Sequence, residues 1–242
     1  MEKENNNKET SEALIKTLES YSKLSLGGKT VRAPYWMNKL KLGIFGPFGG
    51  KGRPEDLISS VKTEAEKKGI KLEKLSEEEI LSFMKRKKIG VDCSGFVFWM
   101  LDSLDRERGG NGIADDIPGS KGKFLSSRAN AQMLTSKEVV VPVEKVKDIK
   151  PGDVIRLRGG QHLAVVVSVT KNGGKVIEVE YAHSSFLSKE KGVHLQRIEV
   201  TDEDKGIGEQ IWLEQTDKGE NYKEAYFMPE KGDGVKRLKI WS

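Results

Sequence analysis

The sequence predicts an α+β protein in which a buried helix beginning at Cys93 packs on one central antiparallel β-sheet. Three observations point there. Behind Asp92-Cys93-Ser94-Gly95 the chain reads Phe96-Val97-Phe98-Trp99-Met100-Leu101, apolar on every face, as a helix enclosed on all sides must be. Residues 161–169 and 175–183 are rich in Val and Ile and flank Lys171-Asn172-Gly173-Gly174, the composition of a β-hairpin. Further strand-like segments follow at short intervals to the end of the chain.

Residues 1–10 are rich in Glu, Lys and Asn without an apolar core, so they read as a disordered lead-in and not as a signal peptide. In residues 11–24, Leu14, Ile15, Leu18, Tyr21 and Leu24 make a helical stripe. Residues 1–30 are therefore expected to be a flexible lead and helix, and 31–242 the main domain. The glycine-rich run Gly43 to Gly52 invites a phosphate-loop reading, but its spacing is one residue short and Gly52 follows Lys51 where Ser or Thr is needed. It is expected to be a flexible loop, with an aromatic-bearing lid as the alternative. Residues 54–68 and 76–87 read as amphipathic helices, the second opened by the capping-box spacing Ser76-Glu77-Glu78-Glu79. Both fall in an insertion at about 39–88. After the cysteine helix, residues 106–122 read as a surface loop in which Asp115-Asp116 is solvated turn chemistry with no metal partners. Lys150-Pro151-Gly152-Asp153 is a turn that launches a strand at 154–157, and further strands are expected at 193–200, 209–214, 224–228 and 235–241.

Cys93 is the only cysteine. Asp92 and Ser94 are helix-capping types, which places the thiol at a positive helix end where unpaired N–H groups favour a thiolate over the ordinary thiol of pKa about 8.5. The alternative is one more small buried apolar group. A catalytic reading needs a histidine, and the chain has only His162, His183 and His194. If Asn172 and Gly173 form a two-residue turn, the register that sets Lys171 against Gly174 also sets His162 against His183, with Cβ atoms about 4.5–5.5 Å apart on one face. Ala164, Val166, Ser168, Ile177, Val179 and Tyr181 share that face, which is expected to receive the Cys93 helix. His194 reads as an ordinary surface or edge residue.

These residues carry a family resemblance. Asp92-Cys93-Ser94-Gly95-Phe96-Val97, Lys150-Pro151-Gly152-Asp153-Val154, Gln161-His162-Leu163-Ala164-Val165-Val166 and Tyr181-Ala182-His183-Ser184, in that order, resemble the NlpC/P60 family of papain-like cysteine peptidases. Ala33-Pro34-Tyr35-Trp36 is similar to the family's Pro-Tyr-x-Trp segment, with no residue separating the tyrosine from the tryptophan, and Ser127-Arg128-Ala129-Asn130-Ala131-Gln132 resembles its Arg-x-x-x-Gln stretch. The resemblance implies a papain-like fold over residues 31–242, with Cys93 as nucleophile, His162 as general base and His183 as the residue orienting it. Tyr35 would line the site near the oxyanion, and Asp92 and Ser94 would flank the nucleophile where the family contacts the free amino end of its substrate. Relatives usually run from the tyrosine through Gly-Gly to the cysteine within a couple of dozen residues, whereas here more than fifty intervene. The implied substrate is the peptidoglycan stem peptide, cut at the bond to γ-D-glutamate.

Net charge is +5 and 33% of residues are charged, as mixed Lys and Glu without a compact basic block, so nucleic acid is not an expected partner. No apolar stretch reaches membrane-span length. A monomer acting on peptidoglycan or another amide substrate, with no cofactor and no metal, is expected. The compartment is open between wall, after loss of a leader, and cytoplasm. Two other classes remain: a thioester-forming acyltransferase or transamidase on the same fold, and a non-catalytic binding protein, against which the Cys93, His162 and His183 set argues.

Overall fold

The computed structural model describes residues 6–38, 44, 46–117 and 129–242. In chain order it comprises β1 (Asn6–Thr10), α1 (Glu12–Ser22), β2 (Leu24–Leu26), β3 (Lys29–Val31), α2 (Pro54–Glu66), α3 (Glu77–Arg86) and α4 (Cys93–Glu107). The strands β4 (Val140–Val143), β5 (Val154–Leu157), β6 (His162–Asn172), β7 (Lys175–Ser185), β8 (Gly192–Glu199), β9 (Ile211–Trp212) and β10 (Gly234–Leu238) follow. They form one antiparallel sheet in the order β4-β10-β5-β6-β7-β8-β9. The protein is thus α+β with a large antiparallel sheet. No helix among the described residues is long and apolar enough to cross a membrane.

β5 pairs with the first half of β6, and β1 occupies the second half, Asn6 opposite Asn172 and Thr10 opposite Ser168. Residues 6–10 are therefore a strand and not a disordered lead. Its polar side chains hid it: Lys8 pairs with Glu180, Glu9 with Lys171, and Thr10 donates to the Val167 carbonyl. Ion pairs replace the apolar alternation that usually marks a strand. α1 is no flexible lead either. It packs on α4, with Thr17 donating to Ser103 and the Glu107 carboxylate accepting from Ser11 and Ala13.

The hairpin turn differs by one residue from the expectation. Asn172 pairs with Lys175, so Gly173 and Gly174 are the two central residues, at φ 57° and 85°. A type I′ turn needs positive φ at both centres, and two glycines meet that at no steric cost. Two irregularities follow, an extra Ile177 on β7 and an extra Val167 on β6, and their effects on register cancel. At the far end Val165 faces Ala182, which makes His162 and His183 diagonal neighbours on one face instead of directly opposite.

α4 packs on the other face from the one expected. Phe96, Val97, Met100 and Leu101 share a core with Leu163, Val165, Val167, Ala182 and Val193, whereas Ala164, Val166, Val179 and Tyr181 belong to a second core with Trp212 and Tyr222. The sheet is covered on both sides, so β6 is buried without interruption from His162 to Val169 and its alternation does not reveal which face takes the helix. The helix residues Phe96, Val97, Phe98, Met100 and Leu101 are buried, each worth on the order of 1.5–3 kcal/mol.

α2 and α3 form as expected and pack against the β2–β3 hairpin in the helix-side core. β9 and β10 are shorter than the strands expected at 209–214 and 235–241. Residues 224–228 are not a strand: Asn221 accepts from the Lys223 N–H and caps a short helix, Tyr222–Tyr226. Ser127 and Arg128, Gly43 and Phe45, and the loop expected beyond Ile117 up to residue 122 lie outside the described residues.

Candidate active site

The first turn of α4 is built from polar groups that the sheet and two loops hold from below. Asp92 Oδ1 accepts from the Gly95 N–H at 2.7 Å, an N-cap bond, and also receives Lys51 Nζ at 2.7 Å. Lys51 Nζ further donates to Ser94 Oγ at 2.6 Å. All three side chains are buried. A Cβ on Gly95 would run into the Gly50 carbonyl, so the glycine after Ser94 lets the 46–52 turn lie against the helix start. Asp92 and Ser94 thus serve helix capping and a buried Lys51 ion pair. Lys51, from the run that imitates a phosphate loop, is fixed by these two side chains, and its carbonyl accepts from Trp99 Nε1.

Tyr35 is beside Cys93 despite the insertion. Val91 donates to the Pro34 carbonyl at 3.1 Å and accepts from the Trp36 N–H at 3.3 Å, and Val193 donates to the Ala33 carbonyl. The 33–36 segment is pinned between the entry to α4 and β8, and the intervening helices loop away from it. Tyr35 stacks on Phe186 at 5.0 Å, and burial first, then the nearby Cys93, raises its hydroxyl pKa. The Ser184 hydroxyl donates to the Val91 carbonyl at 2.7 Å, tying the end of β7 to the same point.

Cys93 is 6% exposed and its thiol is pushed up to about 12, first by burial and then by the neighbouring Asp92 charge. Lys51 and the backbone N–H groups of Leu163 and Ser94 oppose this and do not overcome it. The expectation that the helix end would make a resting thiolate is therefore corrected: desolvation in a dry site exceeds a terminal dipole effect. Leu163 is the residue after His162, so the thiol lies at the backbone of the β6 residue next to the histidine. Among the described residues no hydrogen bond joins the Cys93 sulfur to His162 itself. Burial, then the His183 ring, hold His162 well below its usual value, so both partners rest neutral.

His162 Nε2 lies 2.8 Å from His183 Nδ1. His194, read from sequence as an ordinary surface or edge residue, is instead 2% exposed and faces His183 directly across β7 and β8, with Nε2 atoms 2.9 Å apart. The β7–β8 connection has no turn signal to set a register, and this left His194 unplaced. Glu214 completes the group. Its Oε1 is 3.1 Å from His183 Nε2 and 3.3 Å from His194 Nε2, and it is 1% exposed. Tyr181 donates to its Oε2 at 2.5 Å. Glu214 carries no legible signal, since in Ile211-Trp212-Leu213-Glu214 the exposed residues are the apolar Ile211 and Leu213, so the pattern does not mark Glu214 as buried.

The partners assign the tautomers. His194 Nδ1 is 2.9 Å from the Gly192 carbonyl, which can only accept, so that nitrogen carries a proton, and Nε2 points at His183. His183 Nε2 faces the Glu214 carboxylate, so it carries a proton and its Nδ1 accepts. His162 Nε2 then donates to His183 Nδ1, and His162 Nδ1 is left with a lone pair. Burial alone would raise Glu214, but its imidazole partners outweigh it and hold the carboxyl well below the usual range. Burial lowers His183 against the pull of Glu214. A neutral imidazole with one free basic nitrogen, oriented from behind and backed by a carboxylate, is the arrangement a general base needs.

No family model matches this chain, and neither a curated protein nor a solved structure matches it.

Proposed function

We propose that the chain is a cysteine peptidase or amidase with a papain-like arrangement, in which Cys93 is the nucleophile, His162 the general base and His183 the residue that orients it. The observation that carries this is the 2.8 Å contact between His162 Nε2 and His183 Nδ1, with the Cys93 thiol held at the backbone of Leu163. The tautomer chain supports it because it leaves His162 Nδ1 free to take a proton. The motif resemblance to the NlpC/P60 family supplies the substrate class, peptidoglycan stem peptides cut at the γ-D-glutamyl bond.

With the resting pair neutral, His162 removes the thiol proton as the sulfur attacks an amide carbonyl, so charge appears only with substrate bound. Glu214, through His183, stabilises the imidazolium that forms. The tetrahedral oxyanion is stabilised by backbone N–H groups at the start of α4, with the Tyr35 hydroxyl beside them. His162 then protonates the leaving amine, and water releases the acyl group from sulfur.

The test is to incubate the protein with purified peptidoglycan fragments and identify the products by mass, alongside Cys93→Ala and His162→Ala. Cleavage by the wild type alone supports the reading. Intact amides throughout overturn it, and transfer of the acyl group to an added amine in place of water identifies an acyltransferase.

A further inference from the structure

His183 Nε2, His194 Nε2 and Glu214 Oε1 converge on one another at 2.9, 3.1 and 3.3 Å, and one proton on His183 Nε2 cannot satisfy all three edges. It would leave His194 Nε2 and Glu214 Oε1 facing each other, lone pair to lone pair. A second proton, on His194 Nε2, would set two N–H groups against each other at 2.9 Å. The cluster also holds a buried carboxylate. Among the described residues Glu214 is ion-paired with nothing but these two imidazoles, and a cation at this point would pair with it.

A metal ion meets both demands. Bonds of about 2.0–2.1 Å to three ligands give ligand–ligand edges of roughly 2.8–3.4 Å, from an octahedral face to a tetrahedral one, and the three observed edges of 2.9, 3.1 and 3.3 Å lie within that span. Two imidazoles and a carboxylate are a donor set for borderline divalent ions. Outer partners are in place for each ligand: the Gly192 carbonyl on His194 Nδ1, the Tyr181 hydroxyl on Glu214 Oε2, and His162 on His183 Nδ1.

We propose that His183, His194 and Glu214 form a binding site for a divalent transition-metal ion of the zinc class, and that its occupancy switches Cys93 off. The switch, which rests on His162 serving as the base for Cys93, follows from proton positions. A metal on His183 Nε2 requires that ring's proton to be on Nδ1, where it donates to His162 Nε2. His162 then carries its own proton on Nδ1, the nitrogen that, as the proposed base, would take the thiol proton. No proton is gained or lost; in His183 and His162 it moves from Nε2 to Nδ1, and the 2.8 Å contact keeps its length while donor and acceptor exchange.

Calorimetric titration of the metal-free full chain with zinc sulfate tests the site without reference to catalysis. One equivalent should bind, unchanged in Cys93→Ala, and Glu214→Gln and His194→Gln should weaken it by about 100-fold or more. Tyr181→Phe, which keeps the ring packing, guards against misfolding of those variants and should weaken binding about 10-fold. Absence of stoichiometric binding, binding lost in Cys93→Ala, or equal binding in Glu214→Gln and Tyr181→Phe overturns the site. The switch is read by the iodoacetamide alkylation rate of Cys93, measurable whether or not the chain cleaves peptides. Zinc should slow it in the wild type and leave it unaltered in Glu214→Gln. Stoichiometric zinc with unchanged alkylation overturns the switch, and failure to cleave peptidoglycan with zinc protection intact overturns only the peptidase reading.

Discussion

His162 and His183 are diagonal neighbours on β6 and β7, and a single hydrogen bond of 2.8 Å between Nε2 of the first and Nδ1 of the second leaves His162 Nδ1 outside that contact. His183→Ala removes that acceptor and frees the ring to turn. On the proposed peptidase reading, the expected result is a fall in kcat of about 10²- to 10⁴-fold with KM little changed, since a lost tautomer preference alone can cost about 10⁴-fold. Steady-state kinetics on a cleaved fragment checks it. His183→Asn, which keeps a carbonyl acceptor, should recover part of the loss.

Cys93 rests as a thiol raised to about 12, well above the ordinary thiol range. The metal-free protein should therefore be alkylated by iodoacetamide more slowly than a free thiol at pH 7, with a rate that climbs through pH 9 and shows no plateau near neutrality. The same shift has a sign for stability. A group that holds its proton more tightly when folded contributes stability that is present below pH 9 and is lost as pH rises towards 12. Thermal unfolding of wild type should weaken over that alkaline window more than that of Cys93→Ala.

Lys51 and Asp92 are both buried, 2.7 Å apart. Lys51→Met leaves the Asp92 carboxylate in a dry site with only Ser94 and the Gly95 N–H, and is expected to cost about 3–5 kcal/mol. The double variant Lys51→Met with Asp92→Asn removes the stranded charge and should recover much of that. Urea unfolding of the three proteins measures both effects.

Gly173 and Gly174 hold the hairpin turn at positive φ in open space, so a substitution there meets strain and no clash. Gly174→Ala should cost about 1–2 kcal/mol, whereas Gly173→Asn should be close to neutral, because asparagine tolerates the left-handed region. Equal costs at the two positions in chemical denaturation would contradict a type I′ turn centred on this pair.

Much of the site was legible because its signals are local. The apolar run behind Asp92 announces α4, and Asp92 caps it as its type suggests. The period of two in β6 and β7 puts both histidines on one face, and that parity survives because the two bulges cancel. Tyr35 came to its place because the backbone of residues 33–36 is bonded to Val91 and Val193, whatever length of chain intervenes.

What only the tertiary structure decided is non-local. The sequence by itself determined where a buried helix begins, where two strands turn back on each other, and which two histidines share a face, since each depends on spacing within one or two elements. It could not determine which face of a doubly covered sheet takes α4, because burial on both sides erases the alternation that would tell them apart. Nor could it show that Lys51 is buried against Asp92, or that His194 and Glu214 close on His183, since a buried Lys, His or Glu is the same letter as an exposed one. Whether such a group is solvated or desolvated depends on what three-dimensional packing brings to it.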